Sequence, residues 1–196
     1  MPYRASVGRL LLVAARIACC AALVAVAGPA PAQLPAAAIE KHIDAIPAAQ
    51  RALHARLGKF AKRSGRYTGP GGDGEVTGYF EERELRKLVV SFDGDGASWV
   101  ETYYFDREGL FLATLRWQTF QIHPGQTETV SEARYDFGHQ TLLRWQKRGY
   151  PVQAKRRPRF EVETDQVRIA SQQEDLLRRV ARYRKFLESG GSELPE

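Results

Sequence analysis

The sequence predicts an α+β fold, in which one antiparallel meander sheet of about six strands is packed on one face by N- and C-terminal helices. Three observations lead to this fold class. Apolar residues recur every three or four positions near both ends of the chain, whereas between residues 75 and 147 apolar and polar residues alternate. Thirteen of the 20 aromatic residues fall between Tyr79 and Trp145, where they suit a pleated surface. The connections in this region are too short for parallel crossovers.

Residues 1–32 have the composition of an export signal. Two early arginines precede an apolar stretch over residues 10–27, and Ala30-Pro31-Ala32 supplies the small residues that a signal peptidase reads. We therefore predict cleavage between Ala32 and Gln33, and a periplasmic or secreted protein with no permanent membrane span. The alternative is a retained anchor. An arginine interrupts the stretch, which barely reaches the ~20 apolar residues of a spanning helix.

The chain beyond this segment contains no cysteine, because Cys19 and Cys20 both lie inside it. We therefore expect no disulfide, no thiol nucleophile and no thiolate metal site. Without crosslinks, the exported chain must rely on a hydrophobic core, and its length suffices for one domain. We predict a single α+β domain over residues 33–188 and a flexible tail over 189–196.

The predicted elements follow in order along this domain. Residues 33–66 are expected to be helical, with Pro47 dividing or kinking the helix. The β-meander covers 75–147, and 150–160 is an extended basic arm. A second helix over 165–188 carries an apolar stripe on one side. The six predicted strands span 76–82, 85–92, 98–106, 110–120, 128–137 and 142–146.

A weak internal repeat marks the turns of the meander. Three times, a phenylalanine stands five residues before a leucine and has a tyrosine just upstream. We predict that each phenylalanine closes one strand on the core face and that each leucine opens the next strand. The three pairs are Phe80 and Leu85, Phe105 and Leu110, and Phe137 and Leu142.

Two stretches of the meander carry a family resemblance. Glu101-Thr-Tyr-Tyr-Phe-Asp-Arg-Glu-Gly-Leu110, followed by Leu142-Leu-Arg-Trp145, resembles uncharacterised exported bacterial proteins that bear YYF-x4-L and L-x-R-W strands. The resemblance covers roughly residues 75–147. It implies a signal peptide, an N-terminal helix and the meander, and it implies no activity and no functional residue.

Charge is segregated along the chain, although the formal net charge is only +6. Residues 72–110 hold ten acids and four bases, whereas residues 144–159 hold seven bases and no acid. Two interpretations follow. The basic arm binds an anionic envelope component or an acidic protein, or it lies over the acidic hairpins and neutralises them. Export argues against a nucleic-acid partner.

The candidate ligand-binding residues combine this arm with two tryptophans. Each tryptophan follows an arginine, and an arginine beside a ring can stack on a sugar or a lipid headgroup. The alternative for both tryptophans is burial in the core. The candidates are Arg116, Trp117, Arg144, Trp145, Lys155, Arg156, Arg157 and Arg159.

No catalytic constellation stands out in the sequence. It contains no metal-ligand spacing, nucleophile elbow, phosphate loop or dinucleotide fingerprint, so no metal or cofactor is predicted. We therefore expect a small exported binding or interaction module. One alternative is a hydrolase of an envelope polymer that uses acids such as Glu101 or Asp106, with His123. Another is a structural envelope protein that pairs through an exposed strand edge.

Overall fold

The computed structural model describes residues 35–69, 72–121, 123 and 125–190. The predicted signal peptide and its cleavage site at Ala32 and Gln33 lie outside the described residues. The described residues from Pro35 onward form one compact unit. None of the helices within the described ranges has the length and apolar character needed to cross a bilayer.

The described chain forms two α-helices and eight strands. The elements are α1 (Ala36–His54), β1 (Ala61–Gly69), β2 (Gly72–Glu81), β3 (Glu84–Gly94), β4 (Ala97–Phe105), β5 (Leu110–Thr119), β6 (Thr129–Gly138), β7 (Thr141–Pro151), β8 (Glu161–Val162) and α2 (Gln166–Glu188). The strands pair in chain order, each antiparallel to the next, and build one sheet. The α+β class with a single antiparallel meander is therefore confirmed. The predicted number of about six strands is wrong, because the sheet has eight.

The two additional strands lie at the edges of the sheet. Residues 61–66 were expected to be helical, but they belong to β1, which pairs with β2 along its whole length. Most β1 side chains are polar and exposed, so the strand lacks the alternation that identifies a half-buried strand. The strand β8 has only two residues. Pro47 does not divide the N-terminal helix, because it lies inside the continuous α1.

The two helices pack on opposite faces of the sheet, whereas the sequence predicted both on one face. Successive residues in a strand point to opposite faces. In β4, Tyr103 joins a cluster with Leu176 of α2, and Tyr104 joins a separate cluster with Leu53 of α1. Residues 110–113 are all buried, because both faces of β5 are covered at this end.

The internal repeat corresponds to a bulge followed by a hairpin turn. The register shifts just before Phe80, Phe105 and Phe137, and each of these residues pairs with the leucine five positions later. A bulge bends and twists the strand that carries it. The repeat thus introduces the same irregularity at one end of three successive hairpins.

The helix α2 begins at Gln166, one residue after its predicted start. The Asp165 side chain caps the helix by accepting hydrogen bonds from the backbone N–H groups of Val167 and Arg168, at 3.0 and 3.2 Å. Its apolar side chains then pack on the core at the end of the sheet where the bulges lie. This leaves the other end of the same face without a helix over it.

A buried ion pair joins β6 and β7 on the α1 face. Asp136 is fully buried and accepts hydrogen bonds from Arg134 and Arg144, at 2.9 and 2.8 Å. Both arginines remain partly exposed. Arg144, a candidate ligand-binding residue, is therefore occupied by an internal carboxylate.

We expect Asp136→Asn to lower the free energy of unfolding by about 3 kcal/mol, because both arginines would lose their counter-charge. Chemical denaturation of the parent and the variant measures this loss. Asp73→Asn, which alters an exposed carboxylate bonded to Thr68, is the control and should change stability by less than ~0.5 kcal/mol. Equal effects of the two substitutions would contradict the assigned role.

The β2–β3 turn offers a position at which a substitution should stabilise the fold. Glu82 and Arg83 both have positive φ, 50° and 77°, as a two-residue type I′ turn requires. A non-glycine residue there costs ~1–2 kcal/mol, so Arg83→Gly should raise the free energy of unfolding by about 0.5–1 kcal/mol. Thermal and denaturant unfolding measure the change. Arg107→Gly, in the β4–β5 turn, is the control and should give no stabilisation, since Arg107 does not have positive φ.

Candidate functional site

An aromatic ladder crosses the end of the α2 face away from the bulges, where only its first ring, Tyr67, packs against Phe186 of the helix. It consists of Tyr67, Phe92, Trp99 and Trp117, from β1, β3, β4 and β5. Phe92 pairs with Trp99, and Trp99 pairs with Trp117, in the strand register. The ring centroids of these two pairs are 3.9 and 4.9 Å apart, and the planes are nearly parallel, at 17° and 5°. Trp117 ends the ladder with 45% of its surface exposed.

Small residues in the same register row shape both ends of the ladder. Gly74 lies on β2 between Tyr67 and Phe92, and a Cβ at this position would stand 2.2 Å from the Tyr67 ring. The glycine therefore lets Tyr67 extend over β2, and its ring centroid comes within 6.5 Å of that of Phe92. Beyond Trp117 the row continues with Ser131, whose short side chain leaves the outer side of the indole free.

The ladder lines an open groove of about 1550 Å³. The opposite wall is the C-terminal half of α2, which contributes Arg182 and Lys185. Both cations are exposed, and neither forms an ion pair with any residue that the structure describes. The groove thus combines an aromatic wall with an uncompensated positive wall.

A second cavity of about 740 Å³ adjoins the groove at Trp99 and Trp117. Its floor includes Leu115 and Tyr135, and Arg159 of the basic arm contributes to its border. Its lining also includes the N-terminal half of α2 and the adjacent strands β6 and β7. The uncovered part of the sheet face therefore continues from the ladder to the arm.

A buried carboxylate connects α2 to the sheet between the core and the groove. Glu101 is 4% exposed and accepts hydrogen bonds from Arg179, from Tyr103 and, at 3.2 Å, from Tyr183. Arg179 also pairs with Asp175, at 3.1 Å. Glu101 is therefore fully engaged in holding the helix, which leaves this carboxylate unsuited to proton transfer with a substrate.

Burial is the main reason why three tyrosines beside this carboxylate resist ionisation. It raises the pKa of Tyr135 from 10.0 to about 12. Burial and the nearby charge of Glu101 raise the pKa of Tyr103 and Tyr183 as well. All three hydroxyls therefore stay protonated at physiological pH, and those of Tyr103 and Tyr183 donate to Glu101.

The structure separates the arginine–tryptophan pairs that the sequence places side by side. Neighbouring residues in a strand face opposite ways, so Arg116 and Arg144 lie on the α1 face while Trp117 and Trp145 lie on the α2 face. Arg116 donates to Gln118, at 3.2 Å. Neither arginine can stack with its neighbouring ring around a common ligand.

The two tryptophans have different surroundings. The alternative prediction that Trp117 is buried in the core is wrong, because this residue is exposed at the end of the ladder. Trp145 is half-buried against the core, and its ring lies 5.7 Å from that of Tyr135. Its Nε1 is shielded from solvent and has no hydrogen-bond partner among the described residues. Trp145 is therefore mainly a core residue at the border of the second cavity.

The basic arm does not lie over the acidic hairpins. Arg157 is 3.6 Å from Glu132, which belongs to β6. Lys155, Arg156 and Arg159 are exposed and make no ion pair within the described part of the chain. The carboxylate of Glu81, in the first hairpin, is instead paired with local arginines. The arm therefore keeps three uncompensated positive charges.

The residues considered for a hydrolase do not meet in a cleft. Asp106 accepts hydrogen bonds from the backbone of its own turn, at 2.8 and 3.1 Å. His123 lies in the β5–β6 loop, beyond the far end of β5, and ten strand residues span ~33 Å. Glu101 is buried under α2. No group of three His, Asp or Glu side chains suited to a metal was found in the described ranges.

Several site residues were not among the sequence candidates. Phe92 and Trp99 join Trp117 only through the pairing of three strands, and no local motif indicates that pairing. Arg182 and Lys185 look like ordinary helix surface until α2 is placed on the sheet. The register between paired strands is the information that would have identified the ladder.

Comparison with known proteins provides no relative with a similar arrangement. No protein-family model, no curated protein and no solved structure matches the chain. Functional inference therefore rests on the geometry and chemistry of the described residues.

The buried tyrosines predict a loss of stability at alkaline pH. The folded state retains protons that an unfolded tyrosine releases above its ordinary pKa of 10.0, so the free energy of unfolding should fall between pH 10.0 and about 12. Tyr135→Phe should make this fall shallower by up to ~1.4 kcal/mol per pH unit. Denaturation at several pH values measures the slope. Tyr79→Phe controls for the loss of a hydroxyl, and an unchanged slope in Tyr135→Phe would contradict the assignment.

Proposed function

We propose that the protein is an exported binding module that holds an amphipathic anion, with a planar or apolar body, along the aromatic ladder. The ladder is the observation that carries this proposal. Phe92 is buried, but the stacked rings of Trp99 and Trp117 keep exposed apolar surface, and contiguous apolar patches on a protein mark sites of interaction. Trp117 is 45% exposed although it stacks on Trp99, so a further ring or chain has a flat surface to cover.

The dimensions of the site support a small-molecule ligand. Ligand pockets are clefts of about 300–1,000 Å³ with mainly apolar walls and a few polar groups. The second cavity falls in this range and the groove exceeds it, so the two together offer room for an elongated ligand. The ladder is also rigid, because each ring is held by its neighbours across the strands.

The charge of the groove favours a negative group on the ligand. Arg179 already pairs with Glu101 and Asp175, whereas Arg182 and Lys185 have no carboxylate within 4.0 Å among the described residues. Since both cations are exposed, each would contribute only ~0–1 kcal/mol to binding. Their effect is therefore mainly to orient an anion whose apolar part provides most of the affinity.

The export-signal composition of residues 1–32 supports a periplasmic or secreted location. We therefore propose that the ligand comes from the cell envelope or the surrounding medium. Binding requires no bond-making step, which fits the complete engagement of Glu101 with its three donors.

Anilinonaphthalene sulfonate tests this proposal, because it combines a planar apolar body with one anionic group. We expect the probe to bind the chain that begins at Gln33 with a rise in its fluorescence. Trp117→Ala should weaken binding at least tenfold, since it removes the exposed surface of the ladder. Lys185→Ala should weaken it about two- to fivefold, which is the size of a contribution from one exposed charge. Fluorescence titration and calorimetry give the dissociation constants.

Tyr150→Ala is the matched control for the loss of a ring. Tyr150 is a half-buried aromatic residue that lines neither cavity and donates to Glu132, at 2.9 Å. This variant should bind the probe as the parent does. Equal dissociation constants for Trp117→Ala, Tyr150→Ala and the parent would overturn the assignment of the ladder as the site.

A further inference from the structure

A second surface, separate from the ladder, lies at the β7–β8 edge of the sheet. We call it the basic edge. It comprises residues 152–167, which include the arm, β8 and the start of α2. Its cations are Lys155, Arg156, Arg157 and Arg159, and its exposed apolar residues are Val152, Val162 and Val167.

The cations of the basic edge lack internal counter-charges. Among these cations, only Arg157 has a carboxylate within 4.0 Å in the described structure, that of Glu132. Glu132 is itself shared with Arg148 and the hydroxyl of Tyr150. The arm itself, residues 152–160, holds four cations and no acid, so an anionic partner would meet positive charge there.

Exposed valines accompany this charge. Val152, Val162 and Val167 are 40%, 54% and 79% exposed, and they are three of the five large hydrophobic side chains that stand out as exposed in the described structure. All three lie within the 16 residues from 152 to 167. Apolar side chains beside basic ones suit the boundary between lipid headgroups and acyl chains, where each can find its preferred surroundings.

We propose that the basic edge docks the protein on the surface of an anionic lipid bilayer. The cations contact the headgroups, and the valines enter the outer part of the acyl region. Charge complementarity alone would also fit an acidic protein, but the exposed valines favour the bilayer. The contact is peripheral and reversible.

The docked orientation has a structural consequence. Pro158 and Arg159 of the arm also border the second cavity, so the basic edge and that cavity share one side of the molecule. A bilayer under the arm would therefore face the border of the cavity. The docking surface itself does not depend on the ligand proposed for the ladder.

Vesicle co-sedimentation tests the docking. The chain that begins at Gln33 retains the compact unit from Pro35 to Glu196 and excludes the apolar N-terminal segment. We expect it to sediment with vesicles of phosphatidylcholine and phosphatidylglycerol, and to stay in solution with phosphatidylcholine alone. The doubly substituted K155E/R156E should bind the anionic vesicles at least tenfold more weakly. Val167→Ser should weaken binding two- to fivefold, because it removes one apolar contact.

K59E/K62E is the matched control, since it reverses two exposed cations near β1 that make no ion pair in the described structure. It changes net charge by the same amount and should retain most of the vesicle binding. Equal losses in the two double variants would show a non-specific charge effect and overturn the proposal.

Absence of binding to anionic vesicles would overturn it as well. Full competition of vesicle binding by glycerol phosphate would indicate a site for a single headgroup and would also overturn the proposal. Full competition by polyglutamate would indicate an acidic protein partner and would overturn it too. Unchanged denaturation midpoints verify folding, and probe binding at the ladder is measured separately, so the two proposals succeed or fail independently.

Discussion

Strand register is the constraint on which the rest of the structure depends. In a meander of neighbouring strands, a slip of one residue would move every side chain of a strand to the opposite face. The observed register places Phe92, Trp99 and Trp117 in one row on the α2 face. The same register places Arg116, the direct neighbour of Trp117, on the other face. Core, ladder and buried ion pairs therefore share one cause, and none of them would survive a change of pairing.

The Glu101 network decides how much of this face becomes core. The apolar side chains of α2 can cover only those rows of cross-strand paired residues that they reach. These rows lie at the end of the sheet where the bulges occur. Glu101 pairs with the fully buried Val90 in the strand register, and Arg179, Tyr103 and Tyr183 satisfy it there. A buried carboxylate without such donors would be strongly destabilising. The network thus places a polar group at this edge of the core, and Trp99 and Trp117 lie one row beyond it.

Local patterns in the sequence predicted the elements better than their assembly. Alternation and short turns identified the meander, and the apolar stripe identified α2, because both signals lie within a few neighbouring residues. They missed β1, whose polar side chains at a sheet edge show no period. The pairing of Arg116 with Trp117 failed for a related reason, since residues adjacent in a strand do not share a face. The ladder needs residues from four strands, so only the pairing of the strands could identify it.

The interpretation of the charged residues changed most between the sequence and the structure. The chain total of +6 suggests a generally basic surface, but the described acids are largely satisfied close to their own elements. Glu81 pairs with Arg56 and Arg86, while Asp136 holds Arg134 and Arg144. Unpaired positive charges remain on the α2 wall of the groove and on the basic edge, among other exposed sites. Local pairing therefore determines where an anionic partner can bind, and the net charge does not.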